Sequence, residues 1–105
     1  MVKLSTTLKR LAADLLTNIE SIVNSRRADL QKKILITECW NRLLSSNTET
    51  VNKLDDYGKC VVYGYRSMVT KHVADNLSLE EFERYVYAVL TMMTNAKPGN
   101  WNEKF

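Results

Sequence analysis

The fold is decided by residues 47–76, which read NTETVNKLDDYGKCVVYGYRSMVTKHVADN. Apolar residues recur here at three-, four- and seven-residue intervals, the spacing of one face of an α-helix. They are Val51, Leu54, Val61, Tyr65, Met68 and Val69. The pattern predicts one long helix. Gly58 continues the stripe and is expected to let a neighbouring helix approach closely, and the lone His72 is expected in the core or at its boundary.

Three further helical patterns flank this stretch. The first covers about residues 5–23, the second about 26–44 and the last about 78–95, and residues 96–105 form a short tail. The residues of their apolar stripes are Leu8, Leu11, Leu15, Ile19 and Ile22 in the first, Leu30, Ile34, Trp40 and Leu44 in the second, with Ile36 and Leu43 widening it, and Leu79, Phe82, Val86, Leu90 and Met93 in the last. Each stripe predicts that one face of its helix is buried.

Capping residues are expected at three helix starts. Ser5 can cap the first helix by accepting a backbone N–H hydrogen bond. Ser46 with Glu49, and Ser78 with Glu81, have the spacing of a capping box, in which each residue satisfies a free N–H group of the other. The second of these pairs is the clearest start signal in the chain.

Four amphipathic helices joined by short turns favour antiparallel neighbours. The sequence therefore predicts an all-α fold, an up-down four-helix bundle with a short C-terminal tail. A chain of 105 residues is expected to form one domain over residues 1–105.

The formal net charge of +3 is unevenly distributed. Residues 1–33 hold seven basic and three acidic residues, whereas in residues 47–76 four of each cancel. The basic first third suits an anionic membrane face or a nucleic acid, although an ordinary solvated helix surface is the favoured explanation. No apolar run reaches the ~18 residues that span a bilayer, and Lys9 and Arg10 interrupt any signal sequence. We therefore expect a cytoplasmic protein. Cys39 and Cys60 each lie among apolar neighbours in the sequence, so we expect them to be buried, unreactive thiols.

Catalytic and metal-binding patterns are not found. Cys60 and His72 lie twelve residues apart on the predicted long helix, about 18 Å along its axis. One histidine and two isolated cysteines do not have the spacing of a zinc site. Asp55 and Asp56 are neighbours that point about 100° apart on a helix, and the three glycines form no phosphate-binding loop. The sequence predicts a non-enzyme without metal or cofactor.

Basic side chains offer one alternative, a dimeric double-stranded-RNA-binding protein of the viral silencing-suppressor type, with helix 47–76 on the duplex. Such proteins read the shape and phosphates of RNA rather than its bases. The candidate RNA-binding residues are Arg26, Arg27, Lys59, Tyr63, Arg66 and Lys71. The acidic residues on the same helix and the mild net charge count against this reading. A bundle that binds the helix of another protein is a further alternative.

Four segments, in order, resemble the immunity proteins of pediocin-like (class IIa) bacteriocin systems. They are Ala12–Thr17 (AADLLT), Val61–Tyr63 (VVY), Leu77–Glu81 (LSLEE) and the aromatic end Trp101–Phe105 (WNEKF). The resemblance covers nearly the whole chain and lies in the pattern rather than in a single motif.

The resemblance implies a cytoplasmic antiparallel four-helix bundle, in contact with the inner membrane face and favoured as a monomer. Proteins of this family protect bacteria from a pore-forming bacteriocin by engaging its complex with the mannose permease. Much of the family's specificity lies in the C-terminal half. Carried over to this chain, the expected partner-binding residues are Tyr85, Lys97, Trp101, Lys104 and Phe105. The alternative for Trp101 is that it packs over the end of the bundle.

Overall fold

The computed structural model describes residues 4–46 and 48–95, and these ranges contain six α-helices and no β-strand. The helices are α1 (Leu4–Val23), α2 (Asp29–Ser46), α3 (Thr48–Asn52), α4 (Asp56–Arg66), α5 (Lys71–Asn76) and α6 (Leu79–Thr94). The all-α prediction is confirmed. The four-helix bundle is not confirmed, because three short helices stand where the sequence predicts one long helix over residues 47–76. None of the described helices is both long and apolar enough to cross a bilayer.

The first break in the expected long helix lies between α3 and α4. Asp55 has extended backbone geometry, and its Oδ1 accepts a hydrogen bond from the Gly58 N–H at 2.7 Å, so it caps α4. An aspartate competes well for such a cap and poorly for a helix interior. A Cβ at Gly58 would lie 3.0 Å from the Cβ of Leu54. Gly58 therefore accommodates the preceding turn, and the expectation that it admits a neighbouring helix is wrong.

The second break, between α4 and α5, is held by side chains from two other helices. The indole N–H of Trp40 donates to the carbonyl oxygen of Tyr65 at 3.2 Å, and the hydroxyl of Tyr85 donates to that of Met68 at 2.5 Å. These bonds satisfy backbone groups around the end of a helix. Thr70 then caps α5, accepting a hydrogen bond from the Val73 N–H at 3.3 Å.

The start of α6 matches its prediction. The Ser78 hydroxyl accepts a hydrogen bond from the Glu81 N–H at 3.2 Å, and the Ser78 N–H donates to Oε1 of Glu81 at 3.1 Å. The backbone bond lowers the pKa of the Glu81 carboxyl, because it favours the charged form. The other two cap predictions fare differently. Ser5 lies inside α1 rather than before it, and the Ser46 side chain lies outside the described residues.

Most of the core is formed where α1 packs against both α2 and α6. Its largest fully buried side chains are Trp40, Phe82, Leu8, Leu15, Ile19, Ile36 and Met93. The shorter helices close the side, since α4 and α5 both contact α2. Lys33 links α2 to the end of α5, because its ammonium donates hydrogen bonds to the carbonyl oxygens of Ala74 and Leu77, each at 2.9 Å.

The buried face of α2 matches the predicted one only in part. Ile36, Trp40 and Leu44 are buried, whereas Leu30 is 63% exposed and Ile34 is 46% exposed. Ile34 and Ile36 are two residues apart and so point about 200° apart around a helix. The helix buries the face that carries Trp40, and the prediction that Leu30 and Ile34 share that face is wrong.

Two smaller expectations also fail. Cys39 is buried, and burial raises the pKa of its thiol, but Cys60 is exposed on α4. His72 is exposed on α5 rather than at the core, with its Nε2 3.4 Å from Nδ2 of Asn76. The break before α5 turns this helix, so its residues no longer follow the stripe of α4.

Candidate functional site

The residues expected to bind a partner lie at the C-terminal end of the chain. Tyr85 is half-buried on α6, and its hydroxyl is bonded to the carbonyl oxygen of Met68. Its polar end thus holds the α4–α5 turn. The other four expected contacts, Lys97, Trp101, Lys104 and Phe105, lie outside the described residues.

The residues expected to bind RNA do not form one continuous stripe. Lys59, Tyr63 and Arg66 are spaced along α4 at the intervals of one helical face, with Tyr63 52% exposed. Lys71 belongs to α5, beyond the break. Arg26 and Arg27 are exposed in the connection between α1 and α2 rather than in a helix. The long helix that this reading places on the duplex is absent from the described ranges.

A concave apolar surface near the C-terminal half lies between α4 and α6. The α4–α6 groove has a volume of about 350 Å³, within the usual range for small-molecule sites. Its lining residues are Tyr57, Cys60, Val61, Gly64, Tyr65, Met68 and Met92. Met92 is 48% exposed and Tyr57 36% exposed, so the groove is open to a partner along its length.

Gly64 lies in this groove with no side chain to cover the helix backbone. A Cβ built there would meet no atom within 4 Å. A glycine inside a helix costs about 1 kcal/mol relative to alanine, and no close contact in the described part of the chain requires it. Glycine is also the residue that lets another molecule approach a backbone closely. The groove is therefore lined by apolar side chains and leaves the helix backbone uncovered at Gly64.

The chemistry of the α4–α6 groove suits binding. Partial desolvation raises the pKa of the Tyr57 hydroxyl, and the nearby negative charge of Asp55 raises it further. Burial raises the pKa of Tyr65 in the same way. Both hydroxyls therefore stay protonated at neutral pH. Methionines beside them add flexible, polarisable surface that adapts to an apolar partner.

A second groove lies between α2 and α5. The α2–α5 groove has a volume of about 290 Å³. Its lining residues are Leu30, Lys33, Ile34, Thr37, Glu38, Lys71, Ala74 and Asp75. It is rimmed by charges of both signs, unlike the α4–α6 groove.

No protein-family model, curated protein or solved structure matches this chain. Function is therefore argued from the surfaces themselves. Within the part of the chain that the structure describes, no group of three or more His, Cys, Asp or Glu residues could hold a metal ion.

The sequence signal for the α4–α6 groove was present but incomplete. Tyr57, Val61, Gly64 and Met68 recur at helical spacing, which is the same pattern that predicts a buried face. Whether another helix covers such a face depends on the tertiary arrangement. Here Met92 is the single lining residue from α6, so the face is only partly covered.

Proposed function

We propose that this chain is a non-catalytic binding protein of the bacteriocin-immunity type, acting inside the cell. It protects the cell by engaging a class IIa bacteriocin in complex with the mannose permease at the inner membrane face. The resemblance of the four segments to that family supports this proposal, and the α4–α6 groove is the surface that we assign to partner binding.

The occupant we assign to the groove is an apolar helical segment of the bacteriocin–permease complex. The lining residues of α4 run from Tyr57 to Tyr65, eight residues apart, so the groove follows about two turns, or about 12 Å, of α4. An apolar helix laid in a groove is a common recognition mode, anchored by side chains one turn apart. The bare backbone at Gly64 allows that helix to approach α4 closely.

The position of the groove also supports the proposal. Met92 lies in the last turn of α6, and the structure is described only as far as residue 95. The expected contact residues Trp101 and Phe105 follow shortly afterwards in the sequence. Large aromatic side chains are frequent binding hot spots, so the groove and the C-terminal residues are the surfaces to test together.

Survival of bacteria tests the proposal directly. The chain is expressed in a strain sensitive to a class IIa bacteriocin, and the inhibitory concentration of the bacteriocin is measured. We expect the wild-type chain to raise this concentration at least tenfold. Met92→Asp places a charge in the groove and should abolish protection. Leu16→Asp changes an exposed leucine of α1, 38% exposed, and should leave protection intact.

Two results would reject the proposal. The first is a wild-type chain, well expressed and folded by circular dichroism, that gives no protection against any class IIa bacteriocin. The second is a shift of double-stranded RNA in a gel that is lost at high salt and on Arg66→Glu, which would indicate the phosphate-binding alternative instead.

A further inference from the structure

The hydroxyl of Tyr85 joins α6 to the turn between α4 and α5. It donates to the carbonyl oxygen of Met68 at 2.5 Å in a partly buried position. Met68 follows the end of α4 at Arg66 and precedes the start of α5 at Lys71, so its carbonyl group is outside the hydrogen-bond ladder of both helices. A side chain of a third helix supplies the bond that a helical neighbour would otherwise make.

The residue bonded in this way is also part of the α4–α6 groove. The side chains of Tyr65 and Met68 both line the groove. The carbonyl oxygens of the same two residues accept the hydrogen bonds from Trp40 and Tyr85, which are themselves outside the set of lining residues. Two side chains outside the groove therefore fix the backbone that carries two of its lining side chains.

The place of Tyr85 on α6 relates this bond to the width of the groove. Tyr85 and Met92 are seven residues apart, about two turns or 10 Å along the helix, and so lie on the same side of α6. Met92 is the lining residue that α6 contributes. At Tyr85, α6 is bonded to the turn that ends α4, and about two turns later the groove separates α6 from α4.

We infer that Tyr85 is a positioning residue for the α4–α6 groove, which acts through Met68 and does not itself touch the partner. Its hydroxyl fixes the distance between α4 and α6 and thereby the width of the groove. The inference rests on the proposed function, because it takes the groove as the surface that binds the partner. It differs from the direct contact that the sequence predicts for Tyr85.

The two roles of Tyr85 have different consequences when only its oxygen is removed. Tyr85→Phe keeps the aromatic ring, so a partner that contacts the ring loses little. In the positioning role the same change releases Met68, although every lining side chain of the groove is unchanged. Trp40 is fully buried in the core, where a replacement disturbs packing as well, so Tyr85 is the residue to test.

Cross-linking across the groove measures its width. Cys60 of α4 is exposed and lines the groove, whereas Cys39 is buried, so Met92→Cys gives one reactive thiol on each side. The rate of cross-linking is measured with bis-maleimides of increasing spacer length, and we expect a sharp optimum. Adding Tyr85→Phe should flatten this profile. The ratio of the rates with the best and the longest spacer should fall about fivefold, the change in population that the loss of one such hydrogen bond allows.

Ile19→Val is the matched control for stability. Ile19 is fully buried in α1 and does not line the groove, and the loss of one methylene there lowers stability about as much as Tyr85→Phe is expected to. It should leave the length profile of the Met92→Cys chain unchanged. An unchanged profile with Tyr85→Phe, or an equal flattening with Ile19→Val, overturns the inference.

Protection from a class IIa bacteriocin connects the width of the groove to binding. The inhibitory concentration should be about fivefold lower with Tyr85→Phe than with the wild-type chain, and Ile19→Val should protect like the wild type. Full protection by Tyr85→Phe would overturn the inference, because the hydroxyl would then position nothing that the partner needs. A wild-type chain without protection rejects the proposed function instead, and the cross-linking profile alone then decides the role of Tyr85.

Discussion

Replacing Tyr85 by phenylalanine tests whether a side chain of α6 stabilises the turn between α4 and α5. The Tyr85 hydroxyl donates to the Met68 carbonyl oxygen at 2.5 Å in a partly buried position. Tyr85→Phe removes this oxygen and keeps the ring. A hydrogen bond of this kind contributes about 1 kcal/mol net, and leaving its partner unsatisfied adds to the loss. We therefore expect a loss of about 1.5 kcal/mol, which lowers the melting temperature by roughly 5–10 °C.

Thermal and urea unfolding, followed by circular dichroism, measure this loss. Amide exchange should accelerate at residues 67–70, because the turn is the part released. Tyr63→Phe is the matched control, since Tyr63 is 52% exposed on the outer side of α4 and should change stability by less than about 0.5 kcal/mol. If Tyr85→Phe has the melting temperature of the wild type, or if Tyr85→Phe and Tyr63→Phe lose the same free energy of unfolding, the hydrogen bond does not stabilise the turn.

Five further substitutions have effects that follow from local geometry. Gly64→Ala should stabilise the chain by about 0.5–1 kcal/mol in urea unfolding, because its Cβ enters open space. Gly58→Ala should destabilise the chain, because its Cβ meets the Cβ of Leu54 at 3.0 Å. A destabilised Gly64→Ala together with a stabilised Gly58→Ala would contradict both packing descriptions. Thr7→Val should raise stability by about 1 kcal/mol, because the Thr7 hydroxyl is buried and without a hydrogen-bond partner in the described structure, and a destabilised variant would reveal a partner. The lowered pKa of Glu81 adds stability that is present above its unfolded pKa and is lost as the pH falls through the folded value. Glu81→Gln should reduce the acid dependence of unfolding, and Ser78→Ala should reduce it as well, whereas an unchanged pH profile in both would remove this contribution.

The outer helices could be predicted from the sequence because their information is local. The stripe of Leu8, Leu11 and Leu15 has a single period, and the Ser78–Glu81 box marks a helix start within four residues. The observed bounds of α1 and α6, Leu4–Val23 and Leu79–Thr94, accordingly lie within one residue of the predicted ones.

The middle of the chain could not be predicted in the same way because its breaks depend on distant residues. The bond that holds the α4–α5 turn at Tyr65 comes from Trp40, 25 residues away, and the bond at Met68 comes from Tyr85, 17 residues away. Helical periodicity continues through the turn, so it carries no sign of the break. At Asp55 the local sequence does indicate a helix start, since aspartate is a favoured N-cap residue. The apolar spacing on both sides of it nevertheless predicts an uninterrupted helix.

The candidate surfaces depend on which helix faces are covered. A stripe of apolar residues indicates burial without saying what buries it. In α2 two stripes compete, and burying Trp40 turns Leu30 and Ile34 outward. In α4 the stripe through Gly64 is covered only in part, so a pattern typical of a core becomes a groove.

Co-purification of the permease tests the central claim most directly. The tagged chain is produced in bacteriocin-sensitive cells, which are solubilised in mild detergent with and without a class IIa bacteriocin. We predict that the mannose permease co-purifies with the wild-type chain only when the bacteriocin is present. Gly64→Leu fills the α4–α6 groove and should abolish the co-purification, while Leu16→Asp should retain it. Permease that is absent from the wild-type sample, or equally present with Gly64→Leu, would contradict the account.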